Sequence, residues 1–353
     1  MPSNWYALAA LSDARDATED LLRPVDRGRW LRLALIALFV GVGGGVPTGG
    51  GNVNVPSGGG GSPSEMPTPS MPEVGSAVAI VAGVVILVVL VALVWSLVGA
   101  VMEFVLIAGL RDREVSIRGP FGANLSPGLR LFGFRLGVGL LSLLVVGLPF
   151  LLAFGLGFSV SPAFLLVLVP LIAVFGVVAL AASVILGLTT DFVVPTMLTE
   201  DCGVLDGWRR LWPTLRAEWK QLGAYVVAKF VLGIAVSLGV SLVVLLAALV
   251  VAIPFAIVGG ALYLAASAAG VHAAGLVVVG ALIVLFVLVM TVVGLLVQVP
   301  ALTFVRYYSL SVLGMLLPEL DLVGVERPND GDERGALLDA DETDDDDETD
   351  DDT

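Results

Sequence analysis

No lysine or arginine falls in the stretches 47–76, 159–162 and 257–273, although the chain carries 18 basic residues. Those stretches are what lies on one side when the long apolar runs are read as membrane-spanning helices. The runs cover about 30–46, 77–102, 136–158, 163–190, 226–256 and 274–305. All the basic residues belong to the other side. Arg15, Arg23, Arg27, Arg29 and Arg32 stand around the start of the first run, and Arg111, Arg113, Arg118, Arg130 and Arg135 between the second and third. Arg209, Arg210, Arg216, Lys220 and Lys229 cluster between the fourth and fifth, and Arg306, Arg327 and Arg334 follow the sixth. Basic residues are retained in the cytoplasm, so the bias predicts a multi-pass protein of the cell membrane with both termini inside.

A mean hydropathy of +0.98 and 57% hydrophobic residues exclude an ordinary soluble domain. About 20 apolar residues cross roughly 30 Å of hydrocarbon, and runs two to six reach that length. The first run is short and ends in Gly41, Gly43, Gly44 and Gly45. About 29 residues precede it and no small-x-small cleavage site stands out, so it reads as a retained helix rather than a signal peptide. The expected fold is all-α, a polytopic helix bundle of six spans. Residues 1–29 form a cytoplasmic segment, 30–318 the membrane domain and 319–353 a cytoplasmic tail.

The formal net charge of −14 belongs to that tail. Residues 319–353 hold 17 acidic and two basic residues, a net of −15, and the 16 basic and 15 acidic residues elsewhere give +1. A run ending in DADETDDDDETDDDT buries too little apolar surface to fold, so the tail is expected to be disordered and solubilising. Arginine outnumbers lysine 16 to 2, which with the abundant acid suggests a salty cytoplasm. At molar salt the Debye length is about 3 Å, so long-range steering by the tail would be weak. The lone Cys202 allows no intramolecular disulfide and no cysteine metal cluster.

Before the first span, Leu8, Leu11, Ala14, Thr18, Leu21 and Leu22 recur at helical spacing opposite Asp13, Arg15, Asp16, Glu19 and Asp20. An amphipathic helix over 6–22 follows, ended by Pro24, lying on the inner surface or packed beneath the bundle. The outer stretch 47–76 is a Gly/Pro/Ser linker. Spans three and four are expected to form a tight hairpin through 159–162, and Pro149, Pro170, Pro254 and Pro300 to kink their helices. Gly137, Gly139, Gly155, Gly157, Gly233 and Gly239 are expected to permit close helix approach.

The inner region 191–222 is the most elaborate connection. Leu205, Trp208, Leu211, Trp212, Leu215, Trp219 and Leu222 make an apolar stripe, with Arg209, Arg210 and Arg216 on the polar side. Tryptophan at headgroup depth beside arginine is an interfacial anchor, so Trp208, Arg209, Arg210, Trp212, Arg216 and Trp219 are expected to contact lipid. Pro213 is expected to divide the segment. Glu103-Phe104-Val105, Asp191-Phe192-Val193 and Thr303-Phe304-Val305 mark the inner ends of spans two, four and six, a weak sign of three duplicated helix pairs.

Catalytic patterns are sparse. The single His272 cannot build a histidine metal site, and there is neither a Walker-type phosphate loop nor a Gly-x-Ser-x-Gly elbow. No span centre carries a charge, which argues against proton-coupled transport. Glu103, Asp191 and Lys229 lie near the inner face. One reading makes them, with Arg306, a polar cluster across the bundle. The plainer and preferred one is interfacial snorkelling and helix-end capping.

The pattern ALAALSDARDATEDLLRPVDRGRWLRLALIALFVGVGGG resembles a family of uncharacterised haloarchaeal multi-span membrane proteins. DFVVPTMLTEDCGVLDGWRRLWPTLRAEWKQLGAY is distantly similar to the inner loop in the membrane domain attached to some glycerophosphodiester phosphodiesterases. There a helix end with proline (here Pro195) precedes an acidic-Gly-Val turn (here Glu200 to Val204) and a Trp/Arg segment (here Trp208 to Trp219). The resemblance implies a membrane domain over residues 5–318. With no soluble phosphodiesterase domain here it implies no catalytic, cofactor or metal residues.

The expectation is therefore a non-enzymatic scaffold or accessory protein, without cofactor, acting at the inner membrane face. Its partners would be membrane lipids and a membrane protein, not nucleic acid. The alternative is a transporter or channel for a small or lipophilic solute, with Glu103, Asp191 and Lys229 at its inner mouth. An intramembrane enzyme is the weakest reading, since no nucleophile stands between Glu103 and Asp191.

Overall fold

In the computed structural model, residues 6–23, 26–43, 71–155 and 162–324 are described. Most of the Gly/Pro/Ser linker 47–76, the 159–161 connection and the tail from residue 325 lie outside them. The described residues are all-α, with no strand. The helices are α1 (Tyr6–Leu22), α2 (Arg27–Gly43), α3 (Met71–Arg111), α4 (Arg118–Ala123), α5 (Leu125–Gly155) and α6 (Pro162–Leu188). A π-turn (Thr189–Val193) then leads to α7 (Val194–Glu200), α8 (Val204–Ala217), α9 (Trp219–Ala268), α10 (His272–Leu316) and a 3₁₀ turn (Pro318–Leu320).

Five segments are long and apolar enough to cross a membrane: Ala79–Arg111, Leu125–Pro149, Ile172–Glu200, Trp219–Ala268 and Gly275–Leu316. Helix α2 has 17 residues, roughly 26 Å of helix, and packs against α3 and α10. The chain is a polytopic membrane helix bundle. Its helices overrun the apolar runs because a backbone helix continues past the hydrocarbon wherever its residues favour it. Residues 257–273, expected as a loop, are helical to Ala268, and the chain turns at Gly270 with φ +73°. The stretch 111–135, expected as a connection, supplies α4 and the first turns of α5.

Packing follows the order α9, α10, α2, α3, α5, α6. Helix α1 lies along α10 and touches α9, burying Ala10, Ala14, Thr18, Leu21 and Leu22. The buried core gathers at the charged end, from α1, α2, residues 99–115, 189–215 and 299–320. Toward the opposite end the helices expose their apolar faces; α9 buries only Tyr225 and Gly233 among its 50 residues. Polar clasps close the charged end. Arg32 Nη1 donates to the Val115 carbonyl at 3.0 Å, Arg29 donates to the Leu21 carbonyl, and the Tyr307 hydroxyl donates to the Leu110 carbonyl at 3.2 Å.

The prolines at 149, 170, 213, 254 and 300 all stand inside helices. Helix α8 runs unbroken through Pro213, and the break comes at Glu218 (φ −107°, ψ 38°). Of the glycines expected at close approaches, Gly233 is buried, whereas a Cβ at Gly137, Gly139 or Gly239 would meet nothing within 4 Å. At Gly99 it would stand 2.8 Å from the Phe39 carbonyl oxygen, and at Gly128 2.5 Å from Val101 Cγ2. Those two seat α2 and α5 on α3. Gly128→Leu should cost about 1–3 kcal/mol by overpacking. Gly133→Leu, facing open space one turn on, should be near neutral, and unfolding titrations of both variants in mixed micelles check the contrast.

Candidate functional site

Pro195 explains the backbone on which the site is built. It has no N–H for the Asp191 carbonyl and its ring crowds that carbonyl, so the helix widens by one residue just before it. The Val194 N–H instead reaches the Thr189 carbonyl, a π-type bond. Every residue of this turn is buried, and it directs the Asp191 carboxylate into the bundle.

There Asp191 is fully engaged. Oδ2 accepts from Lys229 Nζ and, at 2.8 Å, from the Tyr225 hydroxyl. Oδ1 lies 3.3 Å from Arg306 Nη1 and 3.4 Å from Ser309 Oγ. Arg306 Nη2 also donates to Glu103, whose other oxygen takes Arg135 Nη2 at 3.2 Å. The same Nη2 reaches Thr190 Oγ1 at 2.8 Å. Tyr225 packs between Phe192 (4.9 Å between ring centroids) and Tyr308 (5.8 Å), with Lys229 Nζ 5.8 Å from its own ring centre.

Glu103, Asp191, Lys229 and Arg306 thus turn toward one another from α3, the π-turn, α9 and α10. Arg135 on α5 completes a network of three cations and two carboxylates, formally +1. Side-chain exposure is 0% for Glu103, 2% for Asp191, 3% for Arg306, 8% for Arg135 and 13% for Lys229. Among the described residues, Arg135 Nη1 and Arg306 Nε have no hydrogen-bond partner. Lys229, Asp191 and Tyr225 also line a cavity of ≈ 400 Å³ between α6 and α9, whose other walls include Leu180, Ser183, Gly187, Val226 and Phe230.

Sequence reasoning missed Arg135, Thr190, Tyr225 and Ser309 as members. The signals were present: Tyr225 stands four residues before Lys229 and Ser309 three after Arg306, the spacings that share a helix face. Of the three similar tripeptides, Glu103 and Asp191 enter the network, whereas the Thr303 hydroxyl turns back to the Val299 carbonyl at 2.8 Å.

The interfacial segment divides. Trp208 turns inward and its Nε1 donates to Thr189 Oγ1 at 3.1 Å, while Leu211 and Leu215 join the core. Leu205, Trp212 and Trp219 stay exposed. Arg209 reaches Asp206 at 3.4 Å, Arg210 joins Glu200 at 3.3 Å and Glu319, and Arg216 is exposed. Arg210 therefore ties α8 to the end of α7 and to the 3₁₀ turn after α10. In the α7–α8 turn, burial and then the Glu200 carboxylate push the Cys202 thiol up.

Removing one member of a buried ion pair strands its partner at a cost of about 3–5 kcal/mol. Glu103→Gln, which leaves Arg306 and Arg135 facing no carboxylate on α3, should show that loss in unfolding titrations in neutral-lipid micelles. Lys229→Met removes the excess cation and leaves two guanidiniums with two carboxylates, so it should cost clearly less. Equal losses would refute the charge accounting.

No curated protein and no solved structure matches this chain. Residues 5–323 match the family of unknown function DUF7544. That match takes in α1, the whole packed bundle and every member of the buried charge network, and the chain belongs to this family.

Proposed function

We propose that the protein is a non-catalytic scaffold or accessory protein of the cell membrane, with both termini in the cytoplasm, that holds a membrane-protein partner. The observation that carries this reading is the length of the α9–α10 hairpin. No Asp, Glu, Lys or Arg occurs from 230 to 305. Residues 230–268 alone make roughly 58 Å of uncharged helix. Hydrocarbon about 30 Å thick covers only about 39 Å of a helix tilted by about 40°, the upper end of observed tilts. The remaining apolar surface is expected to be covered by protein.

The inner face supports the same reading. Exposed Trp212 and Trp219 beside Arg209 and Arg216 suit lipid contact at headgroup depth. The likeness to haloarchaeal multi-span proteins, and distantly to the membrane domain of glycerophosphodiester phosphodiesterases, fits an accessory role. The network itself ties helices together through paired groups, an arrangement suited to holding a shape.

A photo-crosslinking residue at Leu264 or Val277, beyond the expected hydrocarbon, should give a stoichiometric protein adduct in intact membranes. The same probe at Leu245, within it, should label lipid. Lipid adducts alone at all three positions would reject the scaffold reading. The cavity beside Lys229 favours a second reading, a carrier for a small or lipophilic solute, which solute flux abolished by Lys229→Met in proteoliposomes would bring forward.

A further inference from the structure

We infer that the cavity between α6 and α9 is a binding site for an acidic lipid, with its headgroup at Lys229 and its chain along the apolar walls. This rests on the membrane setting of the bundle and not on the scaffold role. Three independent features converge.

The first is charge. The five ionic groups sum to one positive charge in apolar surroundings, where an unbalanced ion is costly and a counter-charge is strongly favoured. Asp191 and Glu103 are already shared among the three cations, so the surplus has no counterpart inside the network. Lys229 is its most accessible member and lines the cavity. Two guanidinium donors of the same network, Arg135 Nη1 and Arg306 Nε, are buried without partners. The whole group is therefore short of acceptors.

The second is shape. The packing order runs from α9 through α10, α2, α3 and α5 to α6, and the two end helices meet across the cavity. Its volume of ≈ 400 Å³ suits a headgroup with the first part of a chain. Lys229, Asp191 and Ser183 supply the polar elements; Leu180, Val184, Leu188, Tyr225, Val226 and Phe230 supply most of the remaining wall.

The third is depth. Lys229 lies nine residues along α9 from Lys220, about 14 Å, and begins the uncharged run. A cation where the uncharged run begins, lining a cavity between two membrane helices, is placed to draw an acidic headgroup in from the hydrocarbon edge. Free phosphate shares the anionic chemistry but makes no use of the apolar walls. Asp191 is held by Arg306, Tyr225 and Ser309 as well as by Lys229, so it remains satisfied when Lys229 turns to a phosphate oxygen.

The test is native mass spectrometry and thermal unfolding of the full chain in nanodiscs of phosphatidylglycerol or phosphatidylcholine, with an inorganic phosphate arm. The wild type should retain one phosphatidylglycerol through delipidation in preference to phosphatidylcholine. Lys229→Met should weaken that preference about tenfold, the loss expected for one charge-assisted contact. Gly187→Phe fills the cavity without altering charge. A Cβ at Gly187 meets nothing within 4 Å and the residue lines the ≈ 400 Å³ cavity, which has room for the ring, so the variant should fold and show the same loss. No preference in the wild type overturns the inference. So does a preference that survives either variant, which would place acidic lipid on the exposed arginines of α8. Inorganic phosphate that stabilises as well as phosphatidylglycerol assigns the site to a free anion and overturns the lipid.

Discussion

A carboxylate among apolar helices has to be met on every side, and the packing of this bundle follows from how Asp191 is met. Its partners come from α9 (Tyr225, Lys229) and α10 (Arg306, Ser309). Arg306 carries the connection to Glu103 on α3, and Arg135 carries it to α5. Helices already packed through one apolar core are thus also held in register by groups that each cost energy to leave unpaired. The local cause is small. Pro195 denies one backbone hydrogen bond, the helix widens, and a carboxylate that would otherwise follow the α-helical face is aimed inward.

Much of this architecture is legible in the sequence, for reasons that differ by level. The all-α class and the long apolar helices follow from hydropathy, because lipid leaves the backbone few alternatives. The nearness of Glu103, Asp191, Lys229 and Arg306 to one end follows from charge position. Their convergence does not, because rotation of each helix about its axis is decided by packing that hydropathy hardly encodes when every face is apolar. Helix ends were poorly placed for a related reason. Residues 257–268 carry glycine and alanine where a loop is expected, yet with no proline after Pro254 the helix continues. In α8, the stripe of tryptophans and leucines reads as one interfacial face, but Gly207 brings Val193 so close that Trp208 and Leu211 are drawn into the core.

The two ends of the molecule differ in what holds them. At the charged end, side chains are buried, polar groups are paired across helices, and α1 is packed along α10. At the other end little apolar surface is buried, although α9 and α10 stay paired, with Phe255 edge-on to Phe286 at 5.5 Å and Gly275 close against Ala266. Lipid tails are as apolar as leucine and give those helices no hydrophobic drive to associate, leaving close packing to hold them.

Lys229 stands where these two regimes join. It is the last charge on α9 before the long uncharged run, and the member of the ionic network most open to its surroundings. An ammonium on a flexible stem can keep its hydrocarbon part in the bundle while its head follows the polar boundary. It thereby sets the depth at which the hairpin enters the hydrocarbon. With that depth set, the excess length of α9 and α10 can only emerge at the opposite face. The surplus cation at the charged end thus marks where the long uncharged run of α9 begins.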